Sequence, residues 1–370
     1  MIDYVGNNYQ SRGLSNLLHI DIKLFLAIIA ITILGLLTIY SSSSGDMSLV
    51  IKQFTRIAIG IITMVFIAQV HPDNLRLFAP PLYFFTVVLL IMVLFFGVGN
   101  TADRWLDLYF IRFQPSELMK IFVPLMVASY YSDKPLPPKF TYILVASIVV
   151  LAPVIMIMKQ PDLGTALLIA MSGAIAILLA GISIRFFVSS LIIIISLAPV
   201  LWMNMHAYQK QRVLTFFNPE SDPMGSGYHL LQSKIALGSG GFFGKGFLNG
   251  TQSKLGFVPE HSTDFIFSAY GEEFGFIGVL LLMFLYLFIA LRGLSISVKA
   301  TDNFGRILTG TLSLTIFLYV LVNVGMVIGF LPVVGAPLPF MSYGGTSMVT
   351  LFATIGIIMS IKSHQRILRK

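Results

Sequence analysis

The sequence predicts an all-α polytopic membrane protein: ten transmembrane helices, with one large extracytoplasmic loop between the seventh and the eighth. Three observations predict it. Hydrophobic residues make up 56% of the 370 positions and charged residues only 11%, where a soluble domain carries roughly 25% charge. Mostly apolar runs of about twenty residues, the length needed to cross the hydrocarbon core, recur along the whole chain. The basic residues lie between these runs, so the net charge of +8 reads as a topology signal and not as a nucleic-acid surface. All 370 residues are read as one transmembrane domain, with the outer loop at about 205–269.

Taken in order, the first run is 22–41. It follows a polar N-terminal stretch that lacks the basic-then-apolar pattern and small-residue cleavage site of a signal peptide, so it is expected to stay as a membrane helix. Runs at 50–70 and 77–98 follow. The fourth, 114–132, is the least apolar and carries Glu117 and Lys120. The fifth and sixth, 140–158 and 163–181, are joined only by Lys159-Gln160-Pro161-Asp162-Leu163-Gly164, a turn in which Pro161 and Gly164 suit the reversal and Asp162 suits the cap of the next helix. The seventh, 185–204, precedes the long loop. The last three are 270–291, 307–331 and 345–362. Between the final two, Pro337 and Pro339 exclude a regular helix across Gly335–Gly345, so this segment is expected to form a wall buried by protein or lining a cavity.

Ten spans put both termini on one side. With the termini inside, the short inner segments hold Arg12, Lys23, Arg76, Lys134, Lys139, Arg185, Arg292, Lys299 and Arg306, and the tail adds Lys362, Arg366, Arg369 and Lys370. The outer short loops and helix ends hold Lys52, Arg56, Arg104, Arg112 and Lys159. The excess places both termini in the cytoplasm. The polar motifs then gather at the outer face, where a transporter would more often hold polar groups near the midplane. The chain has no cysteine, which excludes disulfides, thiolate metal sites and cysteine nucleophiles. No zinc spacing, HExxH, Ser-His-Asp order or nucleotide P-loop is present.

Four outer stretches carry candidate chemistry. Glu117 and Lys120 are three apart, share a helix face and can pair; intramembrane ionisable residues of this kind usually face a partner or cavity. Arg104 and Arg112 could meet an anion, and either could equally anchor the interface. Gly238–Gly250 is glycine-dense, and its Lys245 and backbone N–H groups could cradle a phosphate. Tyr228–Gly238 reads as a short amphipathic helix with Lys234 toward water. Lastly, Pro259–Gly275 brings Asp264 to the start of a strongly apolar helix, with Glu272 and Glu273 close by. Asp264 can be a helix cap or a functional carboxylate; local sequence leaves both open.

RWLDLYFIRFQPSELMK, KQPDLG, NPESDPMGSGYHLLQSKIALGSGGFFGKG, PEHSTDFIFSAYGEEFG and PLPFMSYGG together resemble the SEDS family (shape, elongation, division and sporulation), and its elongation branch more than its division branch. The resemblance spans all ten runs and the large loop. It implies a peptidoglycan glycosyltransferase of the bacterial cytoplasmic membrane that polymerises lipid II on the outer face. It implies as partners a class B penicillin-binding protein that supplies transpeptidation and other membrane proteins of the elongation complex. The family's essential aspartate falls on Asp264, its fourth-span acidic and basic positions on Glu117 and Lys120, and the arginine of its RW motif on Arg104. His261-Ser262 departs slightly from relatives with a basic residue there.

For that chemistry, Asp264 is expected to be the general base or a metal-positioning carboxylate. Lys120, Arg104 and Arg112 are expected to meet the departing pyrophosphate, and Glu117 to orient Lys120 or help hold a divalent cation, magnesium or manganese. The alternative from another class is a lipid-linked precursor flippase; a third is a scaffold that only recruits the transpeptidase.

Overall fold

The computed structural model describes residues 18–98, 104–107, 112–183, 207–219, 225–254 and 262–365, with scattered positions between 185 and 205. The fold is mostly helical. Among the described residues, six helices lie before residue 184: α1 (Ile22–Ser42), α2 (Met47–Ala68), α3 (Pro72–Phe96), α4 (Pro115–Tyr131), α5 (Phe140–Lys159) and α6 (Leu163–Leu179). Within the loop region lie α7 (Ala207–Phe217), α8 (Ser226–Ser239) and the single turn α9 (Thr251–Lys254). The chain closes with α10 (Ile266–Lys299), α11 (Asn303–Ile328) and α12 (Thr346–Gln365). The expectation of a purely helical fold is corrected at one place. Strands β1 (Leu106–Asp107) and β2 (Arg112–Phe113) form a small antiparallel hairpin ahead of α4, pairing Leu106 with Phe113 and Asp107 with Arg112.

Among the described residues, seven helices are long and apolar enough to cross a membrane: α1, α2, α3, α5, α10, α11 and α12. Two more, α4 and α6, have 17 residues each, about 25 Å of helix at 1.5 Å per residue. The expected seventh span, 185–204, lies largely outside the described residues. Burial sorts the helices by depth. α11 and α12 bury 61% and 67% of their spans and form the centre, whereas α2 buries 22% and stands at the periphery. Phe54, Phe66, Phe84 and Phe95 face outward, a surface that suits hydrocarbon and not water.

Close helix packing depends on small residues, as it does where lipid removes any hydrophobic drive between helices. A Cβ on Gly356 of α12 would lie 2.6 Å from the carbonyl oxygen of Met64 on α2, and one on Gly60 of α2 would enter the ring of Phe352. The α2–α12 seam therefore closes backbone to backbone.

α10 is two helices joined at a break. Gly275 has φ 64° and ψ −164°, a conformation that favours glycine. The glycine-rich segment fills the break. Lys245 N–H donates to the Glu272 carbonyl and Gly246 N–H to that of Glu273, each at 3.0 Å. Phe276 N–H donates to Gly241 at 3.0 Å and Ile277 N–H to Phe242 at 3.2 Å. The two N–H groups that could have cradled a phosphate instead complete the helix break. Lys245 Nζ is likewise engaged, 2.7 Å from Glu272 Oε1. α8 has the expected position and exposes Lys234, while Leu230, Ser233 and Ala236 are buried.

At one end of the bundle, Asp21 accepts from Lys23 and Leu24 N–H at the start of α1. It also meets Arg292 of α10 at 2.8 Å and Lys362 of α12 at 2.5 Å. Residues from three segments far apart in the chain thus meet in space. Burial opposes the charge on Asp21, but Lys362, the Leu24 amide and Arg292 outweigh it and hold the carboxyl below its ordinary value. A depressed carboxyl adds stability above the ordinary carboxylate range and loses it as pH falls through the folded-state value. Asp21→Asn should therefore lower stability by about 2 kcal/mol at neutral pH, since it leaves two partly buried cations without their anion. Thermal unfolding in detergent should show the wild-type advantage shrinking as the buffer is taken below the carboxylate range.

Candidate active site

The site is assembled from three non-helical pieces and two helices. The first piece is Ser262–Phe265, which delivers Asp264. Helix α10 begins at Ile266 with Phe265 in the cap position and no side-chain cap bond there, so Asp264 is not the helix cap that local sequence allowed. What holds the segment is tertiary. Asn323 of α11, fully buried, donates from Nδ2 to the Asp264 carbonyl at 2.8 Å and to the Ala336 carbonyl at 2.7 Å. Ser342 Oγ donates to the Thr263 carbonyl at 2.7 Å and accepts from Leu338 N–H at 2.8 Å. Tyr343 N–H donates to the Ser262 carbonyl at 2.8 Å.

The second piece is Val333–Gly345, non-helical as its prolines require. Gly335 has φ 72°, and a Cβ there would stand 3.4 Å from Asp264 Oδ2. The carboxylate therefore lies against this wall. The adjoining Ala336, Pro337 and Pro339 line a cleft together with Glu117 and Lys120 of α4. One short segment thus touches Asp264 and also forms a wall of the Glu117–Lys120 cleft.

In that cleft, Lys120 Nζ is 2.6 Å from Glu117 Oε1, with both side chains nearly buried. Thr350 of α12 donates to Glu117 Oε2 at 3.4 Å, and Lys120 stands 5.3 Å from the centre of the Tyr319 ring on α11. The predicted i,i+3 pair is formed, and it faces a cavity. The pair gives the nearly buried ammonium a counter-charge at the wall of the cleft.

The third piece is the turn before α6. Asp162 accepts from Thr165 N–H at 3.2 Å, the expected cap. It also meets Arg104 at 3.5 Å and Gln114 Nε2 at 3.4 Å. Arg104 is thereby tied to the KQPDLG turn. Arg112 is placed differently. It lies on β2, largely exposed, 3.5 Å from Asp107 across the hairpin, and it is not among the residues lining the cleft. The hairpin keeps Arg112 apart from the residues that line the cleft.

Glu272 and Glu273 have other work. Glu272 is fully buried and accepts from Lys245, from Thr251 N–H at 2.8 Å and from Gln252 N–H at 3.0 Å. Glu273 receives the hydroxyl of Ser41. Both fasten the loop and α1 to the broken helix. Among the described residues, no group of three or more His, Cys, Asp or Glu is arranged to hold a metal ion.

The chain is similar to known proteins in sequence and in fold. A family model described as a cell cycle protein, covering FtsW, RodA and SpoVE, matches residues 21–367. The chain belongs to this family. It is 45% identical over 354 residues to the peptidoglycan glycosyltransferase MrdB of Escherichia coli K12, covering 95% of this chain and 96% of that one. It is 36% identical over 359 residues to MrdB of Helicobacter pylori J99, covering 95% and 92%. Among solved structures it resembles a chain of a peptidoglycan synthase complex that coordinates polymerization and crosslinking, with TM-score 0.81, 27% identity and coverage of 93% and 98%. It also resembles the Thermus thermophilus rod shape determining protein RodA, with TM-score 0.70, 25% identity and coverage of 92% and 96%.

Motif reading missed Asn323, Ser342, Thr350 and Tyr319. Asn323 had a visible signal, an amide in the middle of an apolar span, where polar side chains mark contacts or function. Asn323→Leu should remove the donor shared by two buried carbonyls and cost about 2 kcal/mol. Hydrogen exchange should quicken at Phe265–Ser268 and Leu338–Ser342 while α2 stays protected. Unchanged exchange at both segments would mean that Asn323 is not the clamp.

Proposed function

We propose that this chain is a peptidoglycan glycosyltransferase that polymerises lipid II at the outer face of the bacterial cytoplasmic membrane during cell elongation. The observation that carries the reading is the single wall segment Gly335–Pro339, which touches Asp264 on one side and lines the Glu117–Lys120 cleft on the other. Membership of the family and the named activity of its MrdB relatives support it.

The reaction joins a sugar hydroxyl to an anomeric carbon and expels a lipid-linked pyrophosphate. The hydroxyl must lose a proton, and a carboxylate within hydrogen-bond reach can take it. We assign that role to Asp264. The leaving group departs as an anion and needs no protonation, so one carboxylate suffices where a glycosidase needs two. Negative charge builds on the pyrophosphate and calls for fixed cations. Lys120 is assigned to it, held by Glu117, and Arg104 would approach from the KQPDLG turn. Arg112, exposed on the hairpin, is a weaker candidate for an incoming headgroup.

A divalent cation, magnesium or manganese, would supply further charge neutralisation. Among the described residues, the donor set offers one carboxylate at Asp264 and one, already shared with Lys120, at Glu117. That is too few for a cage of protein ligands; it suits an ion carried chiefly by substrate phosphates.

In the proposed topology there are ten spans, with 185–204 as the seventh, both termini in the cytoplasm and the site facing outward. The structural likeness to a synthase complex supports a crosslinking partner, which we take to be a class B penicillin-binding protein.

Purified protein, assayed with that partner and lipid II, tests the assignment. Asp264→Asn should lower glycan polymerisation by about 10²–10⁴-fold, the usual worth of a general base, without loss of thermal stability. Lys120→Met should also impair turnover. Lys139→Met, at the start of α5 with no cap bond from its side chain, should leave it unchanged. Normal polymer length and rate from folded Asp264→Asn protein would overturn the reading.

A further inference from the structure

Arg56 is a cation that the proposed chemistry does not use. It is the tenth residue of α2, whose 22 residues run Met47–Ala68 and contain no aspartate or glutamate. Apolar sequence begins near residue 50 and suggests a position close to the helix end. The helix starts three residues earlier, which moves Arg56 to about 14 Å along its axis. A guanidinium at such depth is costly unless something anionic meets it.

The described residues do not supply that anion. Arg56 is absent from every ion pair among them, and its Nη1 is buried without a hydrogen-bond partner. Its guanidinium carbon lies 4.3 Å from the centre of the Tyr343 ring. That contact stabilises the face of the guanidinium. Among the described residues it leaves the in-plane donor Nη1, one prong of the fork that recognises phosphate, without an acceptor.

The surroundings are built and not incidental. Three residues before Arg56, Gln53 donates from Nε2 to the Ser342 carbonyl at 3.0 Å and accepts from Gly344 N–H at 3.3 Å. Gln53 thereby fixes the Ser342–Gly345 segment against α2. Gly345 lies beside it: a Cβ there would stand 3.9 Å from Arg56 Nε, in ordinary contact. Two residues on, Ser347 lines the cleft that holds Glu117 and Lys120. On the other side, Phe54 and Ile59 of α2 are exposed, at 61% and 49%. Arg56 thus stands between a lipid-facing apolar surface and the wall of the candidate site.

We propose that Arg56, stacked on Tyr343, is a seat for a phosphate carried on a hydrocarbon chain, with the chain lying along the apolar face of α2. Two lipids share that chemistry: a polyprenyl diphosphate of the kind carried by the substrate, and an anionic phospholipid. The first source rests on the polymerase reading. The seat itself does not, because it is read by binding and not by turnover.

The test uses full-length protein in nanodiscs of neutral phosphatidylcholine. Affinity is measured for a long-chain polyprenyl diphosphate and, separately, for phosphatidylglycerol by native mass spectrometry. Arg56→Gln should weaken one or both by about tenfold, as expected for loss of a charge-assisted bidentate contact, with Arg56→Lys intermediate. Loss confined to the diphosphate assigns the seat to the substrate side; loss confined to phosphatidylglycerol assigns it to a bound phospholipid; loss of both assigns an unselective phosphate seat. Undiminished affinity for both lipids overturns the proposal. If Arg56→Gln does not fold, Arg56→Lys, which keeps the charge and removes the fork, is read in its place. Lys139→Met should bind both lipids like the wild type; the seat is read by binding and Asp264 by turnover, so a failed seat and a failed catalytic assignment give different results.

Discussion

A backbone carbonyl or amide enclosed by apolar helices must be given a partner, because neither lipid nor a packed core can supply one. Helices meet this requirement internally. The segments that build the candidate site are not helical, and each is satisfied by a specific device. Asn323 serves the carbonyls of Asp264 and Ala336 together, Ser342 serves Thr263 and Leu338, and Gln53 serves Ser342 and Gly344. The glycine-rich loop serves the break in α10. These bonds fix the relative position of Asp264 and the wall it touches. The site is therefore a by-product of hydrogen-bond satisfaction: the backbone that must be paired is the backbone that carries the chemistry.

Charge follows the same logic. Asp21 joins three helix ends, Asp162 joins Arg104 to the start of α6, and Glu272 joins a lysine and the α9 amides to the broken helix. In each case a carboxylate is buried only where cations or amides meet it, as the cost of dehydrating a lone charge demands. Glu117 and Lys120 obey the rule too, but their pair opens onto a cleft instead of closing a seam. That difference of surroundings, and not the pairing, sets this pair apart from the seam-closing ones.

The wall segment links these two themes. Its prolines forbid a helix, its glycine at Gly335 admits the Asp264 carboxylate, and its far face lines the cleft. α11 and α12, the two most buried spans, hold it from behind through Asn323 and through the continuation into Thr346. A buried centre thus carries the candidate site, while α2, α3 and α5 present apolar side chains outward.

Much of this was legible in the chain. Apolar runs reported most helices to within a few residues, because the length needed to cross hydrocarbon is a one-dimensional property. The i,i+3 spacing reported the Glu117–Lys120 pair, and the prolines of Gly335–Gly345 reported its departure from helix, because both are local rules of backbone geometry. The rest depended on contacts between distant residues. That Asp264 is held by Asn323 and not by its own helix, that Arg112 turns away on a hairpin, that Lys245 and the glycine loop complete a helix break, and that Arg56 lies over Tyr343 are relations between segments far apart in the chain. The sequence by itself determined which runs are long and apolar enough to cross a membrane and which motifs carry charge. Only the tertiary structure decided which charges face one another and which face a cleft, because pairing in an apolar medium depends on distance in space, and periodicity along a chain carries no such distance.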